Sequence, residues 1–253
     1  MTCLRLRLGL AVEPYDGAEK CSACGREYDA MSMGVHALCC AKGQSTKGHN
    51  RVRDHLASLA KVSDGRTSIE QKVGGGVDAE RENWRPADIL TSASPFGGVG
   101  LAALDIGISC PLATTAREGA DVVEEYRRTK IGRYKEIADR AGWQYHPVTM
   151  SCFGRPHPES IGLVRRLAQA AARKYGVEEV GRIEERWWKN CSTLLAERIA
   201  NMVMTCSPTT RLPAELGGWR ESDEDEGVEE GGGGGEVVDV SAVVSGGGVD
   251  PPQ

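Results

Sequence analysis

Two aspartates stand inside apolar, strand-like runs: Asp88 in "PADIL" and Asp105 in "ALDIGIS", separated by the Gly-rich "SASPFGGVG". A carboxylate among Ile, Leu and Ala costs free energy unless something compensates its charge. Water compensates it if the runs form a hairpin whose acids point outward; a shared cation compensates both if they converge. Mg²⁺ or Mn²⁺ suits the second case, because such ions take carboxylate oxygens and keep several waters, so two acids from adjacent strands suffice as anchors. A cation held in this way polarises a phosphoryl oxygen, activates water and stabilises a leaving oxyanion, which is the chemistry of phosphodiester hydrolysis. A nearby lysine orients the water or stabilises transition-state charge. Downstream, "KIGRY" offers Lys130, Arg133 and Tyr134, which helical spacing places on one side. Seven basic and six acidic residues lie between Arg117 and Arg140, so charge alone does not separate this helix from an ordinary solvated face.

A second constellation lies upstream. "CSACGREYDAMSMGVHALCC" places Cys21 and Cys24 two residues apart, with His36 and then Cys39 and Cys40 to follow. Two thiolates gripping one ion from a tight turn, completed by a histidine and a further cysteine, are the makings of a closed tetrahedral Zn²⁺ site with a folding role. The spacing leaves the fourth ligand open between Cys39 and Cys40, and His49 is a further candidate. Cys110, Cys152, Cys191 and Cys206 are scattered and read as buried thiols.

The elements that must position these groups follow from periodicity. "NRVRDHLASLAKV" carries Val52, Leu56, Leu59 and Ala60 on one helical stripe, and "SDG" stops it. "TSIEQKV", "RPADILT" and "GLAALDIGIS" are strand candidates punctuated by Gly-rich breakers. Helical pattern returns from about Glu118 to Ala141, "WQYHPVTM" alternates as a strand does, and "PESIGLVRRLAQAAARKYG" is a helix with Pro158 near its start and Gly176 past its end. One or two further helices follow, in which Trp187 and Trp188 read more readily as core than as a stacking surface for bases. The β–α–β stretch allows parallel pairing through a crossover, which argues for an α/β sheet with helices on its faces.

Composition bounds the rest. The 253 residues carry a net charge of −5, yet from Leu216 onward ten acids face one arginine, so residues 1–215 hold about +4. A mildly basic body is compatible with a polyanionic partner. The tail containing "ESDEDEGVEEGGGGG" has nothing to bury and is expected to be disordered. No apolar run is long enough for a bilayer, and two arginines within "MTCLRLRLGLAV" make a poor secretory signal. Nine cysteines without an export signal suggest a reducing compartment. Three segments result: 1–49 with the Cys/His cluster, 50–206 as the α/β body with its C-terminal helices, and 207–253 as the tail.

Taken in order, Cys21, Cys24, His36, Cys39 or Cys40, then "GHNRVRDHL", "RPADIL", "LDIGIS" and "KIGRY" resemble the C-terminal part of site-specific non-LTR retrotransposon proteins. There a zinc knuckle precedes a restriction-like endonuclease of the PD-(D/E)XK superfamily, "HN-x-V-x-x-x-L" follows the knuckle, and a K-x-x-[KR]-Y motif follows the second acid. The resemblance spans about residues 1–150 and, more loosely, reaches about 205. It implies a restriction-endonuclease-like mixed sheet flanked by helices, with a small N-terminal knuckle. It implies catalytic Mg²⁺ or Mn²⁺ on Asp88 and Asp105, with Lys130 and Tyr134 completing the site and Arg133 where a second lysine is common. An upstream glutamate is also implied; Glu70 in "SIEQKV" is the choice, with Glu80 and Glu82 as rivals. DNA and the RNA of a parent element are the partners it implies, and the nucleus is the location.

Three departures accompany the match. Ala87 interrupts the Pro–Asp pair, the His-to-Cys gap is shorter than usual, and Gly107 stands two positions after Asp105, where the superfamily has its lysine. The expectation is a metal-dependent DNA endonuclease. The rivals are a catalytically inactive, zinc-stabilised DNA-binding remnant and, more remotely, an interaction protein acting through its acidic tail.

Overall fold

In the computed structural model the described residues are 20–28, 30–40, 42, 45–71, 87–113, 116, 119–207; all lie in one unit, Met1–Thr210. The element order is α1 (Ala30–Cys39), α2 (Ser45–Asp64), β1 (Ser68–Gln71), β2 (Ala87–Ser92), β3 (Leu101–Ser109), α3 (Val122–Arg140), β4 (Trp143–Ser151), α4 (Pro158–Tyr175) and α5 (Val180–Cys206). The four strands form one mixed sheet in the order β1-β2-β3-β4. The first two pairings are antiparallel and β3–β4 is parallel, the crossover being α3. The acidic tail from 208, and with it Glu80 and Glu82, falls outside the described residues. Among the described residues no helix is long and apolar enough to cross a membrane.

Alternation along the strands gives the sheet two different faces. One presents Ile89, Leu104, Ile106, Val148 and Met150 to a core completed by Val52 and Leu56 of α2, Leu163 and Leu167 of α4, and Trp187 and Leu195 of α5. Fully burying one such side chain is worth about 1.5–3 kcal/mol, so this face fixes the register. The other face carries the opposite parity: Ala103, Asp105 and Gly107 on β3. It is covered by α3, which packs on β3 and β4.

Helix ends follow familiar chemistry. Asp121 caps α3, accepting from the backbone N–H groups of Val123 and Glu124 at 3.0 and 3.3 Å. His157 caps α4 by accepting from Glu159 N–H, with Pro158 in the first turn. Gly176, at φ 65°, closes α4 in the left-handed conformation.

The structure extends two sequence expectations. Residues 30–39, from which no element was expected, form α1, and α2 begins at Ser45, taking His49 into the same helix as the apolar stripe. The last segment is one helix of 27 residues, whose Trp187 is buried in the core.

At the start of α2, Gly48 is a contact point. A Cβ built there would lie 2.3 Å from Cγ of Arg198, whose stem crosses from α5. In an open helix Gly→Ala stabilises by about 1 kcal/mol, whereas forcing a methyl against a packed stem costs about 1–3 kcal/mol. Gly48→Ala is therefore expected to lower stability in urea unfolding; an increase would show that Arg198 does not hold this position.

Candidate functional site

The β2–β3 ladder ends at the pair Ile89–Leu104; Asp88 and Asp105 are the next residue on each strand, and the charge of Asp88 is felt at Asp105. Asp105 is 4% exposed. Lys130 of α3 donates from Nζ to its Oδ1 at 2.7 Å, and the Tyr145 hydroxyl of β4 donates to Oδ2 at 2.5 Å. Asp88 lies at the start of its strand and accepts from Ile106 N–H at 2.7 Å, with His49 Nε2 of α2 3.4 Å away. His49 is also 3.2 Å from the carbonyl oxygen of Ile106.

The two acids differ electrostatically. Burial pushes the Asp105 carboxyl up to about 6, and the charge of Asp88 adds to this, although Lys130 and Tyr145 oppose it. Burial acts in the same direction on Asp88, but His49 and the Ile106 N–H outweigh it and hold that carboxyl below its ordinary value. The partners respond in kind. Burial disfavours charge on Lys130 and His49, yet Asp105 raises the first and Asp88 the second. Burial and the adjacent Asp105 push Tyr145 upward, so its hydroxyl remains a donor.

Lys130 reaches Asp105 because the intervening space has been left open. A Cβ on Gly107 would meet Cε1 of Tyr126 at 2.8 Å, Cε of Lys130 at 2.9 Å and Cγ2 of Thr149 at 3.0 Å. The strand position two residues beyond the acid is bare, and the ammonium arrives over it from α3. Tyr134, one turn further along α3, has its ring 5.9 Å from Lys130 Nζ and 6.4 Å from the Tyr145 ring. The Arg133 guanidinium lies 5.1 Å from the Tyr134 ring.

Glu70 occupies the equivalent place on β1. The pairs Ile69–Ile89 and Gln71–Ala87 flank it, which sets it beside Asp88 in register. Its φ of 54° is left-handed, and its carboxylate is ion-paired with Arg53 of α2. Asp105, Asp88 and Glu70 are each matched by a basic side chain: Lys130, His49 and Arg53 in turn. His49 and Arg53 are one helical turn apart on α2, on the same side.

The sulfur and nitrogen atoms of Cys21, Cys24, His36 and Cys40 all lie within 4.8 Å of one another, the one such ligand group among the described residues, and could hold a metal ion. The turn is built for it: Gly25 N–H donates to Cys21 O at 2.8 Å, Cys21 N–H to Arg26 O at 2.9 Å, and Gly25 adopts φ 73°. His36 projects from α1 to within 3.3 Å of the Cys24 sulfur and stacks on Tyr28 with centroids 4.2 Å apart. Burial opposes ionisation of Cys21, but backbone N–H groups of Cys24 and Ala23 outweigh it and hold the thiol below its ordinary value. Cys206, at the end of α5, touches Cys21 and Cys40 through its thiol, and Ser22 N–H donates to its carbonyl oxygen at 3.0 Å.

The open choice of fourth ligand falls to Cys40, since Cys39 points to Cys110 instead. His49 belongs to the carboxylates and not to the thiols. Tyr145 was read only as part of an alternating strand; its role depends on the parallel register that sets it beside Ala103, two residues from Asp105.

No family model, curated protein or solved structure matches the chain.

Elemental analysis checks the ligand assignment. One thiophilic metal ion per chain is expected for wild type and for Cys39→Ser, and a large loss for Cys40→Ser. Loss with Cys39→Ser and retention with Cys40→Ser would reverse the assignment.

Proposed function

We propose that the chain is a metal-dependent DNA endonuclease module of the kind carried by site-specific non-LTR retrotransposon proteins, with a restriction-like sheet and a knuckle held by structural Zn²⁺. The observation that carries this reading is the nearness of Asp88 and Asp105, each adjacent in its strand to the Ile89–Leu104 pair, with the Lys130 ammonium 2.7 Å from Asp105.

The donor set supports a hard divalent cation. Asp88 and Asp105 lie in one another's field, and burial pushes Asp105 up to about 6 against the opposing pull of Lys130 and Tyr145, a balance that a bound cation would shift toward the carboxylate. Mg²⁺ or Mn²⁺ on Asp88 and Asp105, once bound, supplies Lewis-acid activation of a phosphoryl group and of water. The chain's own residues do the rest. Asp88, with its side chain 22% exposed, faces solvent more than Asp105 does. Tyr145 and Lys130 fix Asp105, and Lys130 lies where it offsets charge developing on a phosphate in the transition state. Tyr134 flanks the ammonium. The body charge of about +4 suits a DNA backbone, and the ordered resemblance points to work in the nucleus on DNA, with the RNA of a parent element as a further partner.

A second reading rests on a specific feature. Each carboxylate already has protein partners: His49 and Ile106 N–H for Asp88, Lys130 and Tyr145 for Asp105. On that view the acids are a self-neutralised remnant, and the protein binds DNA without cutting it.

Plasmid nicking separates the two. Wild type is expected to nick supercoiled DNA in Mg²⁺ or Mn²⁺. Asp88→Ala and Asp105→Ala should be silent, and Lys130→Ala about 10²-fold slower, the cost of removing one positioned electrostatic stabiliser. Equal nicking by all four proteins would exclude the endonuclease. Salt-sensitive DNA binding with no cleavage by wild type would establish the remnant.

A further inference from the structure

A second group of thiols lies outside the cluster just described. Cys110 follows β3 and Cys152 follows β4; Ser109 and Ser151 are in parallel register, and Cys152 N–H donates to Ser109 O at 2.7 Å, so the two cysteines leave the sheet side by side. Cys110 lies between the other two thiols, within interaction reach of both Cys152 and Cys39, the last residue of α1. Cys39 is exposed, Cys110 half-buried and Cys152 buried.

The guanidinium of Arg198 on α5 is within electrostatic reach of all three. It is 8% exposed, and its Nε and Nη1 are buried without a hydrogen-bond acceptor. A buried guanidinium with idle donors is costly unless an anion stands opposite it. Groups in its field able to supply one include these thiols and the Tyr126 hydroxyl, and Cys110 is the sulfur that lies within reach of two further thiols able to donate to it.

We propose that Cys110 is a peroxide-reactive thiolate that Cys152 resolves into a reversible disulfide across the ends of β3 and β4. The Cys110 thiolate attacks one oxygen of hydrogen peroxide, the O–O bond breaks, and the leaving hydroxide takes a proton from solvent to become water. Cys110 is then a sulfenic acid. The Cys152 sulfur attacks the Cys110 sulfur and the S–O bond breaks; the hydroxide lost takes the Cys152 proton as a second water. Two thiols lose two electrons and the peroxide gains them. The fold supports this order of events. Cys152 and then Cys39 are placed to donate to Cys110 and lower the pKa of its thiol, and Arg198 adds to this, while Cys152 is the more buried of the two and is pushed up by Cys110 and by burial.

The test uses the full-length, metal-loaded protein. With limiting N-ethylmaleimide and peptide mapping, Cys110 is expected to react at least about tenfold faster than the more exposed Cys39, reversing the order that accessibility alone dictates. With hydrogen peroxide, a Cys110–Cys152 bridge reversible by dithiothreitol is expected. It should be absent in Cys110→Ser, while Cys152→Ser should stop at a dimedone-reactive sulfenic acid on Cys110. Reactivity of Cys110 at or below that of Cys39, a bridge from Cys110 to Cys39, or oxidation confined to Cys21, Cys24 and Cys40 would each overturn the proposal. Because the labelling is read on wild type, failure of a variant to fold leaves the test intact.

Discussion

The arrangement depends on one buried charge. Asp105 sits in the central β3 strand at 4% exposure, a position whose other neighbours on the strand are Leu104 and Ile106. A lone carboxylate there is untenable, and leaving it unpaired costs several kcal/mol. Lys130 and Tyr145 meet that demand from two further elements, and the requirement constrains both. The crossover helix α3 must lie on the face opposite the apolar core, and β4 must pair in the register that brings Tyr145 within 2.5 Å. Gly107 belongs to the same constraint, because a side chain there would occupy the space through which the lysine passes.

The remaining helices are tied to the sheet from the other side. His49 and Arg53 let α2 reach Asp88 and Glu70, while Val52 and Leu56 of the same helix enter the core. α5 joins the two sulfur-rich regions: Arg198 lies over Gly48 and within electrostatic reach of Cys110 and Cys152, and Cys206 touches the cluster of Cys21, Cys24, His36 and Cys40. The Cys/His segment therefore shares α5 with the sheet, so ligand loss in the cluster is felt at a helix that also lines the core.

Much of the frame was legible because periodicity and punctuation agree. "RPADILT", "GLAALDIGIS" and "WQYHPVTM" became β2, β3 and β4, and the Asp88–Asp105 juxtaposition follows once the Gly-rich turn joins two strands. The CxxC turn with His36 and a later cysteine was equally readable, since local spacing carries most of the geometry. What the sequence withheld were pairings that exist only after the sheet has formed. Tyr145 reaches Asp105 through a parallel register set across 40 residues of chain. His49, an apparent candidate for the thiol cluster, turns to Asp88 because α2 begins early enough to carry it there. Cys39 and Cys40 are adjacent in sequence, yet the end of α1 sends one to the metal ligands and the other to Cys110; no spacing rule separates them. The scattered cysteines were expected as inert buried thiols. Cys191 and Cys152 are buried, but Cys110 is half-buried beside a guanidinium that no local pattern could have announced.

The claim on which the functional account rests is that Asp88 and Asp105 share a divalent cation. Mn²⁺ titration of the purified protein, followed by electron paramagnetic resonance, tests it without reference to cleavage. The account predicts one Mn²⁺ site per chain that disappears in Asp105→Asn and in Asp88→Asn, while the metal of the Cys/His cluster stays bound. Absence of a Mn²⁺ site in wild type, or its persistence in both variants, would contradict it.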